Sequence, residues 1–548
     1  MVNKLLTQSQ KFFNQKSGSI LSAAGIIAAS YFGSALLGLI RNHLLAARFF
    51  SGFEGELDVY FAAFVIPDTI FQLLVAGAIS AAFIPIYQEY FSDSEDKANH
   101  MANAALTSVT LILTLVSILV ALFARPLAGL LAQYSDPKLD LLANLIRIMS
   151  LAQILFTISS FLTGVLQSQR RFLIPAIAPI MYNLGTILGV LFFSSTYGIY
   201  SAAYGVLFGA LFHTLIQLPA AFQINFYPRF VFEPKNKGVL NMLKLMPPRT
   251  LALGLDQFEK AVAVNFTSVL AAGSLSIFNF ARQLYILPIS LFGVSLSQAA
   301  FPALSQEASY ENKDKFKATL SKSILQIFFF ALPASILILV LRIPLVRLAF
   351  GAKSFPWDAT LLTGRALAVL AISIAPQAVV QTLTRALHAL KDTKTPLITG
   401  IITMILFTVP AYFLTRVMNL NVVGVTLAIS ISNSLDFILL YQVIRHRVGP
   451  LGISYRILKM IAVSAISGLA LWLPFRLLDQ LVFDTTRTLP LIILTSIVSG
   501  IGFVVYLFFC WLFKVEELSE VIQIVKKLGN WRKVLASSDE VLETPTGE

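Results

Sequence analysis

Apolar residues do not alternate with polar ones along this chain; they run together. A helix that crosses the hydrocarbon core of a bilayer needs about 20 mostly apolar residues. About fourteen stretches meet that length. They lie near 20–40, 58–86, 103–124, 141–167, 173–195, 200–223, 249–272, 275–301, 322–344, 359–387, 396–416, 422–444, 455–475 and 488–513. Pro67 and Pro85 fall inside the second stretch and predict a kink there. The pattern predicts an all-α polytopic membrane protein.

Two short patterns recur at nearly the same offset. Ser80-Ala-Ala-Phe-Ile-Pro85 closes the second stretch, and Ser297-Gln-Ala-Ala-Phe-Pro302 closes the eighth, about 217 residues on. Arg171-Phe-Leu-Ile-Pro175 opens the fifth and Lys394-Thr-Pro396 opens the eleventh, about 221 residues apart. The coincidence predicts two pseudo-symmetric six-helix lobes in parallel orientation, with two C-terminal helices added. The implied organisation is a cytoplasmic segment 1–19, an N-lobe 20–224, a cytoplasmic linker 225–248, a C-lobe 249–446, an added pair 447–514, and a tail 515–548. In the tail, Leu518, Val521, Ile522, Val525 and Leu528 share one helical face, which predicts an amphipathic helix followed by a disordered acidic end.

Composition agrees. The 548 residues are 57% apolar and only 13% charged, against roughly 25% charged in soluble domains. Mean hydropathy is +0.77. One cysteine, Cys510, excludes a disulfide framework. The net charge of +13 reads as the positive-inside bias and not as nucleic-acid binding. With an inner N-terminus, inside loops and tails hold about 27 Lys/Arg and outside loops about 10. Both termini are therefore expected in the cytoplasm. The first 19 residues lack the apolar core of a cleavable signal peptide.

No Walker A loop, HExxH helix or nucleophile elbow occurs, so an enzyme is not expected. Gly205-x-x-x-Gly209 fits close helix packing. The informative residues are charges at membrane depth, which are costly and face protein or water. They are Arg41, Asp58, Asp68, Arg147, Asp256, Glu259, Lys260, Arg282, Arg365 and Asp436. Asp256, Glu259 and Lys260 are close enough along one helix to neutralise one another, or to serve an ion or a gate. Asp436 reads equally as an ion ligand or a packing partner, and Arg147 and Arg365 as carbonyl caps. Arg41 either snorkels to the interface or lines a cavity. Arg282 has no acid within four residues. A cavity holding Arg41 and Arg282 suits an anion, because guanidinium binds phosphate through paired hydrogen bonds and keeps its charge. The expected substrate carries phosphate or pyrophosphate.

Leu287-Pro-Ile-Ser-Leu-Phe-Gly293 followed by Pro302-Ala-Leu-Ser305 resembles the signature of the MurJ/MviN family of lipid II flippases. So do Arg171-Phe-x-Ile-Pro-Ala-x-Ala-Pro179 with Asn183, Arg385-Ala-x-His-Ala-x-Lys-Asp-Thr-Lys-Thr-Pro396, and Asp58-x-x-x-x-Ala-Phe-x-x-Pro67. The resemblance runs from about residue 25 to 510 and implies the fold of the multidrug/oligosaccharidyl-lipid/polysaccharide exporter superfamily. It implies alternating access that carries lipid II, the undecaprenyl-pyrophosphate-linked peptidoglycan precursor, from the inner to the outer leaflet of a bacterial inner membrane. Substrate contacts would fall to Arg41, Arg282 and Asp58. Two arginines of the family pattern are replaced here, by Ala35 and Phe71. The family's sodium site would take Asp256, but 396–416 contains no Asp or Asn. No cofactor is expected, with the membrane potential or an unspecified ion as driver. Expected partners are lipid II, membrane lipids and cell-wall synthesis proteins. Alternatives are a flippase for another polyprenyl-linked glycan, a cation-coupled drug exporter, and a non-transporting scaffold.

Overall fold

The structure, a computed structural model, describes residues 20–76, 79–309, 313–351, 354–483 and 487–519. The segment 1–19 and most of the tail, including Val521, Ile522, Val525 and Leu528, lie outside the described residues. The long helices are numbered in chain order. They are α1 Ile20–Phe49, α2 Glu54–Val75, α3 Glu95–Leu122, α4 Asp136–Ser168, α5 Leu173–Tyr197, α6 Tyr200–Gln223 and α7 Pro247–Thr267. There follow α8 Ser274–Ser309, α9 Lys313–Phe350, α10 Trp357–Ala371 with Ile374–Ala389, α11 Lys394–Val417, α12 Asn421–Val448, α13 Ser454–Gln480 and α14 Thr488–Leu512.

Among the described residues, eleven helices are long and apolar enough to cross a membrane, or twelve if the bent pair of α10 is one span. The remaining expected stretches, 20–40 and 249–272, fall on α1 and α7. The chain is an all-α polytopic membrane protein.

The kink expected in the second stretch has a visible cause. Pro67 cannot donate to the Ala63 carbonyl, and the helix breaks at Phe64 before resuming at Val65. Wider π turns follow at Gln72–Ala76 and Ile79–Phe83. In α8 a π segment, Ile289–Val294, likewise precedes the second copy of the Ser-x-Ala-(Ala)-Phe-(x)-Pro pattern.

The other repeated pattern carries a repeated backbone device. At the end of α4, Arg170 takes φ +59° and the Arg171 N–H donates to the Leu166 carbonyl at 2.8 Å. At the end of α10, Lys391 takes φ +59° and the Asp392 N–H donates to the Leu387 carbonyl at 2.9 Å. Both are Schellman-type stops, and each is followed five residues after its left-handed residue by the proline of the next helix, Pro175 or Pro396.

The contacts divide the chain into two compact units. One comprises the residues up to Leu284 with Ala349–Ala366 and Leu397–Ser432. Its core includes Phe83, Tyr87, Met101, Phe161, Phe226 and Met242, all buried. Within it, α5 and α6 meet backbone to backbone. A methyl group on Gly189 would lie 2.5 Å from the Gly205 Cα, and one on Gly185 would overlap Gly209. The expected role of Gly205 and Gly209 in close packing is realised, with Gly185 and Gly189 as their counterparts. The other unit comprises Tyr285–Leu348, Leu367–Pro396 and the residues from Asn433 on. There α13 and α14 pack on α9 through Leu471, Leu494, Val498 and Leu341.

Candidate functional site

The first unit gathers most of the charges picked out by sequence. Arg41 lies eight residues before the end of α1, Glu259 eight before the end of α7, and Arg282 eight after the start of α8. At about 1.5 Å per residue each sits roughly 12 Å from its helix terminus. Asp58, four residues into α2, binds the start of α8. Its Oδ2 accepts the Gly273 N–H at 2.7 Å, and its Oδ1 accepts the N–H and the hydroxyl of Ser276, each at 2.7 Å. The Asp58 side chain is buried, so these three donors do the work of water. Asp58 thus caps the N-terminus of α8 from another helix, satisfying N–H groups that a helix start otherwise leaves open. Gly273 takes φ +88° in the turn that presents its N–H.

Arg41 is held by neutral groups. Its Nη1 donates to Asn183 Oδ1 at 3.2 Å and its Nε to Asn42 Oδ1 at 3.2 Å. The guanidinium lies 5.9 Å from the centroid of the Tyr182 ring, within cation–π range. Asn183 in turn donates to the Ser34 carbonyl, the Ser34 hydroxyl and the Pro179 carbonyl, each at 3.2 Å. The buried Asn42 donates to Gln283 Oε1 at 2.5 Å. This bond joins α1 to the residue next to Arg282.

Arg282 meets Glu259 of α7 at 3.5 Å. Besides its neighbours Asp256 and Lys260 on α7, Glu259 reaches an arginine of the next helix. Lys260 Nζ donates to Gln257 Oε1 at 3.4 Å, and Asp256 is exposed on the same helix. Asp68 accepts from Gln153 Nε2 at 3.0 Å. Phe71, at a position where the resemblance expects arginine, is half-buried with its ring 6.3 Å from Phe156, which contacts Tyr182 at 5.3 Å. Ala35 is exposed.

Arg147 donates to the Ala121 carbonyl at 3.0 Å and to Asn144 at 2.6 Å, the carbonyl cap anticipated for it. Arg365 is exposed on α10. Asp436 is half-buried on α12 in the second unit. Sequence reasoning passed over Asn42, Gln153, Tyr182 and Gln283, which are neutral and leave no trace in a search for charge.

Chemically, the set offers two half-exposed guanidinium groups held by amides and by one loose carboxylate. Such groups bind an oxyanion through paired hydrogen bonds. The arrangement suits binding and release of such an anion.

Comparison with known proteins agrees with that reading. A family model described as lipid II flippase MurJ matches residues 8–491. A probable lipid II flippase MurJ of Buchnera aphidicola is 30% identical over 420 residues, 76% of this chain and 81% of its own. One from Thermotoga maritima is 29% identical over 499 residues, 90% of this chain and 96% of its own. A solved structure of a lipid II flippase MurJ in an inward closed conformation matches with TM-score 0.74 at 25% identity, covering 91% of this chain and all of that one. An inward-facing multidrug transporter of the MATE family matches with TM-score 0.64 at 15% identity, over 77% of this chain and 96% of its own, which places it within the same fold. Helices, motifs and relatives converge: the chain belongs to the MurJ family of lipid II flippases, membrane transporters that do not act as enzymes.

Proposed function

We propose that this chain moves lipid II from the inner to the outer leaflet of a bacterial cytoplasmic membrane, with both termini on the cytoplasmic side. Arg41 and Arg282 take the pyrophosphate, and Asp58 acts through Arg282 by fixing the start of α8. The headgroup crosses in a cleft between the lobes 20–224 and 249–446 as they alternate, while the prenyl tail stays in hydrocarbon. The observation that carries the reading is the Asn42–Gln283 bond, which joins the residues next to Arg41 and Arg282. The membrane potential supplies about 2.3 kcal/mol per charge per 100 mV, enough to bias a charged cycle without a cofactor; Asp256 and Asp436 are the candidates for an accompanying ion.

The test is complementation in cells depleted of their own lipid II flippase, scored by survival and by lipid II in the outer leaflet. Wild type should rescue, and Arg282→Ala should insert normally and fail. Rescue by Arg282→Ala would remove Arg282 from the anion site. A second reading, export of another polyprenyl-linked glycan, is favoured by one observation: Phe71 and Phe156 occupy space where the family pattern has a cation. Failure of well-inserted wild type, together with binding of such a carrier, would select it.

A further inference from the structure

The pair Glu259–Arg282 differs from the other charged pairs that hold helix ends. Arg456 meets Glu517 at 2.6 Å, and the Glu517 carboxylate is buried. Arg447 meets Asp392 at 2.5 Å, with Asp392 only 8% exposed. Glu259 and Arg282 approach to only 3.5 Å, with side-chain exposures of 32% and 25%. Charge-assisted N–H···O bonds are usually about 2.7–2.9 Å. The Glu259 carboxylate is thus beside the guanidinium without the short, buried contact of those pairs.

Such a geometry has a use. A lone guanidinium at membrane depth is costly, and a partner carboxylate lowers that cost. A tight, paired salt bridge would then exclude the substrate, because two anions cannot share one guanidinium face. A loose and hydrated one can be exchanged. We infer that Glu259 is the internal counter-anion of Arg282: it occupies the guanidinium while the site is empty and is displaced by the pyrophosphate of the substrate. The displacement favours pyrophosphate over a singly charged headgroup, since the incoming anion must outcompete a carboxylate already in place. This rests on the assignment of Arg282 as a pyrophosphate ligand.

Two further features fit the exchange. Glu259 stands on α7 and Arg282 on α8, joined by the turn in which Gly273 is fixed by Asp58. The two helices therefore keep a set separation at that end, and only the side chains need move. Arg41 has amide partners in the same unit and no carboxylate among its hydrogen bonds. Of the two arginines, Arg282 is the one whose occupancy is contested.

The experiment measures binding of lipid II to the full chain in phosphatidylcholine nanodiscs. Glu259→Gln, which keeps size and removes charge, should bind about five-fold tighter, or about 1 kcal/mol, the scale of a partly exposed ion pair. Arg282→Ala should bind much more weakly, and Glu259→Gln added to Arg282→Ala should restore nothing. Glu259→Asp, with a shorter reach, should also tighten binding and serves where the glutamine variant is unstable. Tightening is a gain that a damaged fold would not produce. Unchanged or weaker binding by both Glu259 variants overturns the inference, as does a gain that persists without Arg282. If Arg282→Ala binds as wild type does, the assignment of Arg282 fails and the inference with it.

Discussion

Asp58 and Ser276 are joined twice: one carboxylate oxygen accepts both the backbone N–H and the hydroxyl of Ser276, each at 2.7 Å. The other oxygen accepts from Gly273. A buried carboxylate in this position is stabilised by donors it finds in another helix start and by the positive end of the α8 dipole. It holds α8 in the rotation that presents Arg282.

Removing that carboxylate strands the donors. Asp58→Ala is expected to cost at least about 2 kcal/mol, because a helix cap is lost and buried N–H groups are left unpaired. Thermal unfolding in detergent should fall clearly for Asp58→Ala and by less for Asp58→Asn, whose carbonyl can still accept. Equal stability of Asp58→Ala and wild type would mean that the cap contributes nothing.

Asn183 is the hub under Arg41. It accepts from the guanidinium and donates to Ser34 and to the turn of its own helix. Asn183→Leu keeps the volume and loses every one of these bonds. A hydrogen bond to a charged group is worth about 1.5–3 kcal/mol, so flipping of lipid II in proteoliposomes should slow about ten-fold or more. Membrane insertion should be unaffected. A variant that flips at the wild-type rate would show that Arg41 holds its position without Asn183.

Much of this site was legible as a set of residues and little of it as a set of contacts. The cost of burying charge singles out Asp58, Glu259 and Arg282 from sequence alone. Their partners are another matter. Spacing along one helix reveals only neighbours at three and four residues, so Glu259 reads as part of an α7 group although it meets Arg282 across the α7–α8 turn. Asp58 is met by Gly273 and Ser276, which are neutral and more than two hundred residues away in sequence. The polar chain of Thr163, Gln217, Ser159 and His213, with Gln217 and Ser159 buried at its centre, is likewise invisible, since each member is unremarkable by itself. Apolar length and proline punctuation are local properties, and for that reason the helices and the repeated openings of the fifth and eleventh stretches were readable.

The α5–α6 contact gives a packing prediction. Gly185 and Gly189 lie against Gly209 and Gly205 with no room for a side chain, and the atoms in the way are backbone. Backbone cannot rotate aside as a side chain does, so overpacking here should cost about 1–3 kcal/mol. Gly189→Ala should lower the yield of folded protein and its unfolding temperature. Gly129→Ala, where nothing lies within 4 Å, is the control and should behave as wild type. Because Tyr182 and Asn183 lie on the same helix, within one turn of Gly185 and about two turns before Gly189, the Gly189 variant should also weaken Arg41-dependent binding.

The last prediction concerns pH and a group outside the spans. Asp392, in the turn before α11, accepts the N–H of Lys394 at 3.1 Å, the N–H of Thr395 at 2.9 Å and the Thr395 hydroxyl at 2.5 Å, and pairs with Arg447. Burial alone would raise its carboxyl, but the Thr395 hydroxyl and amide, Arg447 and the Lys394 amide outweigh it and hold the group below the ordinary carboxylate range. A carboxylate depressed in the folded state stabilises it at every pH above the unfolded value of about 3.9. That contribution is lost as pH falls from there through the lower folded value. Wild type should therefore unfold at a higher temperature than Asp392→Asn between pH 5 and 7, roughly the plateau above the carboxylate range. The gap should close as pH is taken below about 4. Thr395→Ala, which removes one of the stabilising donors, raises the folded value towards the unfolded one, so the gap on the plateau should shrink and its loss should be complete at a higher pH. A gap that stays constant down to about pH 3 would show that Asp392 contributes by shape and not by charge.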